Sequence, residues 1–309
     1  MTGFLVKRFA QAALAVFGVS ALIFFLQRLT GDPTLLLVPQ GASDEMIAQL
    51  RGQLGFDRPV LVQFGDYLTG LLHLDFGQSI VQNISVSSII LSRVPYTLQL
   101  AGGALVLALG IGLPLGVFMA VKREHPLSKA AMGFVLAGQS MPTFWSGVLF
   151  ILFFAVILGW LPASGARSFE SLILPSVTLA LLSMATFARV ARTAVLDELG
   201  KPYVRAARSK GLSTARVVTR HVLRNSAIPV ISIAALEIAN LLSGAVIVET
   251  VFAWPGLGLL TVQSIAARDF PVVQAIVLIG AFVSIFLNLI ADILYSVVDP
   301  RIRLDGGRA

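Results

Sequence analysis

The chain has 309 residues, 56% of them hydrophobic and 13% charged, with a mean hydropathy of +0.86. A soluble domain is nearer a quarter charged, so the composition excludes an ordinary globular protein and points to membrane spans. The chain has no cysteine, which excludes disulfides, zinc–thiolate sites and thiol chemistry, and its net charge of +7 is accounted for below by topology, without nucleic acid.

Taken in chain order, six apolar stretches predict spans: 9–26, 97–121, 142–158, 172–188, 228–248 and 272–298. The first follows Lys7 and Arg8 as a signal peptide would. However, its apolar run is too long, and Leu26-Gln27-Arg28 offers no small-residue cleavage site, so it reads as a retained anchor. In the long segment 29–96, Ser43 is placed to cap a helix carrying Ile47, Leu50 and Leu54, with Gly55 as its stop and Pro59 beyond. A second helix follows from Leu61, Phe64, Leu68, Leu71 and Leu72, suited to a membrane surface or to the bundle. In the second span Gly112-x-x-x-Gly116 allows close helix approach and reads as packing. The fourth stretch is short and carries Pro175, but its apolar character and flanking arginines mark it as a span.

The basic segment 189–225 is compact in composition. Residues 203–210 predict a short helix, Gly211 its left-handed stop, and Ser213 the cap of another helix reaching Asn225. Pro229 then suits the first turn of the fifth span. With the N-terminus inside, 17 of the 23 Lys and Arg fall in inside segments and six outside, so both termini are expected in the cytoplasm.

Chemical motifs are sparse. No G-x-x-x-x-G-K-[ST] loop is present, Gly256-Leu257-Gly258 reads as a turn, and His73, His125 and His221 all fall in loops. This argues against a nucleotide site, a His-ligated metal or a Ser/His enzyme in the spans. Polar residues inside spans do stand out. Glu237, Asn240 and Gly244 share one face of the fifth span, and Ser284, Asn288, Asp292 and Ser296 form a stripe along the sixth. A polar wall along a translocation path and hydrogen bonding between packed spans explain them equally well.

A series of short motifs runs nearly end to end: 27–33 (QRLTGDP), 54–59 (LGFDRP), 75–79 (DFGQS), 93–98 (RVPYTL), 203–211 (YVRAARSKG), 249–258 (ETVFAWPGLG), 268–271 (RDFP) and 299–303 (DPRIR). In this order they resemble the inner-membrane permeases of dipeptide, oligopeptide and nickel ABC importers. In the general importer motif a glutamate stands where this chain has Arg205, and Gly211 lies 18 positions before Pro229, as in the peptide and nickel branch. The resemblance implies an all-α polytopic membrane protein of six transmembrane helices with the type I ABC importer transmembrane fold. It implies an N-terminal helix and helical extracytoplasmic region (1–94), a transmembrane core (95–300) with a cytoplasmic coupling loop (189–227), and a short tail (301–309). It further implies that Tyr203, Val204, Arg205, Ala206, Ala207, Arg208 and Gly211 fit a cleft on an ATPase subunit. Glu249, Pro255, Gly256 and Gly258 would form an extracytoplasmic turn, and Glu237, Asn240, Asn288 and Asp292 are candidates for the pathway. The implied partners are a second permease, two ATPase subunits holding ATP and magnesium, an extracytoplasmic solute-binding protein and membrane lipid, with no cofactor in this chain and no nucleic acid. The cargo would be dipeptides or oligopeptides, with nickel chelates, glutathione or opine-like solutes as alternatives. The rival reading is an ion-coupled secondary transporter using Asp292 and Glu237, against which stands the lack of an evident inverted repeat.

Overall fold

The computed structural model describes residues 2–29, 43–53, 55 and 57–298; the side chains of 2–8, 26–29, 50, 53, 235 and 291–298 lie outside the description. Among the described residues the chain is helical, apart from turns and one antiparallel bridge between Gln78 and Ser85. It forms two compact units, one of Met1–Pro95 with Leu260–Phe286, the other of Tyr96–Leu259 with Leu287–Ala309.

The first unit begins with α1 (Thr2–Leu29). In α2 (Asp44–Gln53), acids in the first turn and Arg51 in the last complement the helix dipole. Ser43 Oγ accepts from the Met46 N–H at 3.3 Å, and Gly55 follows the helix at φ +70°, which are the expected cap and stop. Helix α3 (Val60–Leu72) turns Phe64 and Tyr67 onto the rings of α1, with centroids 5.1 Å apart for Phe24–Phe64 and 5.6 Å for Phe24–Tyr67. Leu61 and Leu72, which the helical spacing placed on a face suited to a membrane surface or to the bundle, are exposed. Phe64 of the same set packs on α1, and the buried Gln63 amide donates to the Arg58 carbonyl at 2.7 Å.

The second unit holds most of α4 (Val86–Val121), then α5 (Pro126–Ser140), α6 (Thr143–Phe150) running into a wide π segment (Ile151–Ile157), and a 3₁₀ turn (Phe169–Leu172) leading into α7 (Ile173–Leu199). It continues with α8 (Pro202–Ser209), α9 (Thr214–Val217), a π turn (Val218–Val222) and α10 (Leu223–Val251). Helices α11 (Leu257–Ala266) and α12 (Phe270–Val298) complete the chain.

Four helical runs among the described residues are long and apolar enough to cross a membrane, and α5 with α6 makes a fifth, bent by 107°. With α1 these segments follow the six expected spans in order, with different boundaries. The third begins at Pro126, where the sequence reading had it begin at Pro142. The break between α5 and α6 is local: Met141 precedes Pro142, which bars it from the helical region, and it is extended at φ −84°, ψ 130°.

Helix α7 is the centre of the second unit. Of its span window 61% is buried, against 33% or less for the other long spans. The Gly112–Gly116 pair explains how α4 reaches it: a Cβ on Gly112 would lie 2.7 Å from the Met184 carbonyl, and one on Gly116 2.4 Å from that of Ala188. The segment 189–227, read as a loop, is mostly helix. Arg189 and Arg192 belong to α7, and the helix expected to stop at Asn225 runs unbroken from Thr214 to Val251. Pro229 therefore sits inside α10, not in a first turn. It removes one backbone bond, and packing of α10 on α7 carries the helix past it.

Candidate functional site

The short helix α8 is built to be rigid. Pro202 occupies its first turn, where a missing N–H costs nothing. At its other end the Gly211 N–H bonds the Arg208 carbonyl at 2.9 Å and the Leu212 N–H bonds that of Ala207 at 3.3 Å, with Gly211 at φ +81°. This is the paired C-terminal stop that needs a left-handed residue, and Leu212 makes the apolar contact that accompanies it. Ser213 stands at the cap position of α9 but makes no side-chain cap bond.

One face of α8 belongs to the protein's own core. Val204 is fully buried with Ala120, Val195, Val217 and Val222, and Tyr203 and Ala207 pack against the same cluster. Arg205, Ala206, Arg208 and Ser209 are exposed. Of the residues the resemblance assigned to a partner's cleft, Val204 is buried and Tyr203 and Ala207 are half-buried in the chain's own core, whereas Arg205, Ala206 and Arg208 are exposed.

A polar knot behind α8 was not foreseen. Glu198 ends α7 with only 7% of its surface exposed, at the helix terminus least favourable to an anion. Lys201 Nζ donates to Glu198 Oε1, Tyr203 Oη donates to Oε2 at 2.6 Å, and Asn225 Nδ2 reaches Oε2 at 3.5 Å. The bond to Glu198 holds the Lys201 ammonium above its ordinary value. Burial, then the Glu198 bond, pushes the Tyr203 phenol up. The knot ties α7, α8 and α10 together through four side chains. The sequence signal for it was the acidic pair Asp197-Glu198 inside the basic segment 189–225.

Of the pathway candidates, Glu237 and Asn240 come together. Glu237 is 7% exposed, accepts from Ser183 of α7 at 2.5 Å and from Asn240 at 3.5 Å. This is a hydrogen bond between packed spans. Asn288 is exposed on α12, without a hydrogen bond to that pair among the described residues, and the side chains of Asp292 and Ser296 lie outside the described residues.

At the opposite end of α10, Glu249 is fully buried. Thr97 Oγ1 donates to Glu249 Oε1 at 2.7 Å, and the Gly258 and Leu259 N–H groups donate to Oε2 at 2.6 and 3.0 Å. Thr97 Oγ1 in turn accepts from the Leu257 N–H at 2.8 Å, and Trp254 Nε1 donates to the Tyr96 carbonyl at 2.8 Å. The carboxylate thus sits on the first turn of α11, where free N–H groups favour an anion. The glycines follow from this geometry: a Cβ on Gly256 would stand 2.2 Å from Glu249 Oε1, and one on Gly258 2.4 Å from Val246 Cα. Only Gly256 lies in a turn. Leu257 and Gly258 open a helix, which corrects the reading of all three as a turn; Pro255 precedes them between the two helices. In the other unit, the buried Asp269 accepts from Ser79 Oγ and, at 3.1 Å, from the Ile80 N–H. Motifs far apart in sequence are therefore paired in space, 93–98 with 249–258 and 75–79 with 268–271.

No cluster of His, Asp and Glu suited to a metal occurs among the described residues. Residues 112–304 match the binding-protein-dependent transport system inner membrane component, and residues 1–101 match the N-terminal family of the same membrane component. A putative peptide transport system permease protein of Brucella abortus (strain 2308) is 39% identical over 99% of this chain and all of its own length. The glutathione transport system permease protein GsiC of Salmonella typhimurium (strain LT2) is 40% identical over 98% of this chain and 99% of its own. In fold, the chain resembles one in a solved structure of inward facing conformations of the MetNI methionine ABC transporter, with TM-score 0.57 and 21% identity, over 68% of this chain and 96% of that one. With its apolar helices and these matches along its length, the chain is a multi-pass inner membrane protein and belongs to the binding-protein-dependent ABC importer permeases.

Proposed function

We propose that this permease forms, with a second permease, the membrane pathway of an ATP-driven peptide importer. Two ATPase subunits would bind the ATP and magnesium, and an extracytoplasmic solute-binding protein would deliver the cargo. Both termini and α8 face the cytoplasm in this reading, which the distribution of Lys and Arg supports. The observation that carries it is α8 itself. One face is locked to α7 and α10 by Val204 and the Glu198 knot, and the other presents Arg205, Ala206 and Ser209 to a partner. Closure of the ATPase pair moves α8, and the locked face passes that motion to the spans, shifting the population between inward and outward states. Peptide is favoured as cargo by the Brucella relative; the GsiC relative makes glutathione, itself a small peptide, the second reading.

The test is reconstitution of the chain with its neighbouring permease and ATPase subunits, measuring ATP-dependent peptide uptake. Ala206→Asp should reduce ATPase retention and uptake while leaving the unfolding temperature of the permease unchanged. Ala207→Asp should lower both retention and unfolding temperature, because it introduces a charge beside the Val204 cluster. Uptake driven by an ion gradient without ATP would overturn the proposal.

A further inference from the structure

At the α8 end of the second unit, α4, α7 and α10 diverge around an apolar slot of about 690 Å³. Leu113 and Val117 line it from α4, Val195 from α7, and Leu223, Ala227 and Val230 from α10. Its rim ends at Val121 and Lys122, and the same two residues begin a second cavity of about 520 Å³ that continues through Arg123, Glu124 and His125 to Pro126. The slot is apolar and its mouth is cationic. Lys122 is exposed and makes no ion pair among the described residues. Arg123 meets Glu124 at 3.4 Å, but both side chains are largely in solvent, so that pair holds Arg123 weakly. His125 Nδ1 accepts from the Leu127 N–H at 3.2 Å, which leaves Nε2 as the ring's donor at the mouth.

We infer that this slot and its mouth form a binding site for one anionic phospholipid, with an acyl chain between α4, α7 and α10 and the phosphodiester against Lys122 and His125. The two halves of such a molecule match the two cavities. The exposed Lys122 ammonium at the rim of an apolar slot calls for an occupant that joins an apolar chain to a negative charge, which an anionic phospholipid does within one molecule. Lys122 directly follows the last residue of α4, where the helix dipole favours a cation, so the ammonium is held at the rim without a protein carboxylate. The slot lies beside the cluster that seats Val204, since Val117, Val195 and Leu223 belong to both. An occupant would thus bear directly on the α8 anchorage.

The test is native mass spectrometry of the full chain in nonionic detergent, titrated with palmitoyl-oleoyl phosphatidylglycerol or phosphatidylcholine. One phosphatidylglycerol should bind about fivefold more tightly than phosphatidylcholine, the contribution expected of one accessible basic residue at a membrane surface. Lys122→Gln, an exposed change that leaves packing untouched, should erase that preference while chain binding persists. Ala227→Trp should remove the site for both lipids. In the assembled importer, a photoreactive benzoylphenylalanine at Ala227 should capture phospholipid. Equal affinity for the two lipids, a preference that survives Lys122→Gln, or capture of another protein chain at Ala227 would each overturn the assignment.

Discussion

Replacing Gly211 by valine separates backbone strain from every other effect, because a Cβ there meets nothing within 4 Å. No side chain is displaced and no cavity is filled; what changes is the left-handed conformation at φ +81°. That geometry costs an ordinary L-residue about 1–2 kcal/mol, and more for a β-branched one. The alternative is to abandon the stop, losing the Gly211 and Leu212 N–H bonds and the Leu212 contact that hold α8 at its angle. Either way the cost is comparable with coupling energies of about 1–3 kcal/mol, so communication should suffer while the spans remain folded. Gly211→Val should therefore insert normally, but lower ATPase-subunit retention or transport-coupled hydrolysis about five- to thirtyfold. Gly211→Asn, which tolerates the left-handed region, should retain most of the activity. The assay is hydrolysis by the assembled importer in nanodiscs, alongside copurification of the ATPase. Unaltered coupling in the valine variant, or equal loss in both, would refute the reasoning.

Three further outcomes are expected. Because the chain has no cysteine, single cysteines at Ser43 and Ser168 should react with an impermeant reagent applied to sealed cells and one at Ser209 should not; the reverse pattern would invert the topology. Gly256→Ala should lower the unfolding temperature in detergent more than Glu249→Gln, because its Cβ would stand 2.2 Å from the Glu249 carboxylate. The amide, by contrast, keeps an acceptor and loses about 1.5–3 kcal/mol of charge-assisted bonding. Asp292→Asn should support substantial ATP-dependent uptake, since the amide keeps the hydrogen-bonding shape; complete loss of uptake with hydrolysis intact would instead mark an ion site.

What could be read from the sequence was what depends on neighbours along the chain. The Ser43 cap, the Gly55 stop and the Gly211 stop are each a residue type acting within one turn of its own helix, and all three appear where expected. The face of α8 was not legible, because two turns are too few to establish a period. Burial of Val204 depends on Ala120, Val195, Val217 and Val222 of three other helices. Helix α5 was missed because Ser128, Lys129, Gly133, Gly138 and Gln139 dilute its apolar pattern. Arg189 and Arg192 were taken as the end of a span because charge was equated with a boundary, whereas α7 continues to Leu199. The Glu249 cage joins residues 152 positions apart, and no local pattern announces such a partner, although both halves lie in motifs that stood out.

The glycine seam between α4 and α7 has a mechanical consequence. Where Gly112 and Gly116 lie against the Met184 and Ala188 carbonyls, no side chain separates the two backbones. Most helix pairs meet through interdigitated side chains whose rotamers can yield when one helix shifts against the other. Here that compliant layer is missing, so α4 and α7 resist sliding and act as a single strut. Val204 is seated against both members of it, at Ala120 on α4 and Val195 on α7. A push delivered to α8 therefore arrives at both helices together, with little play to absorb it.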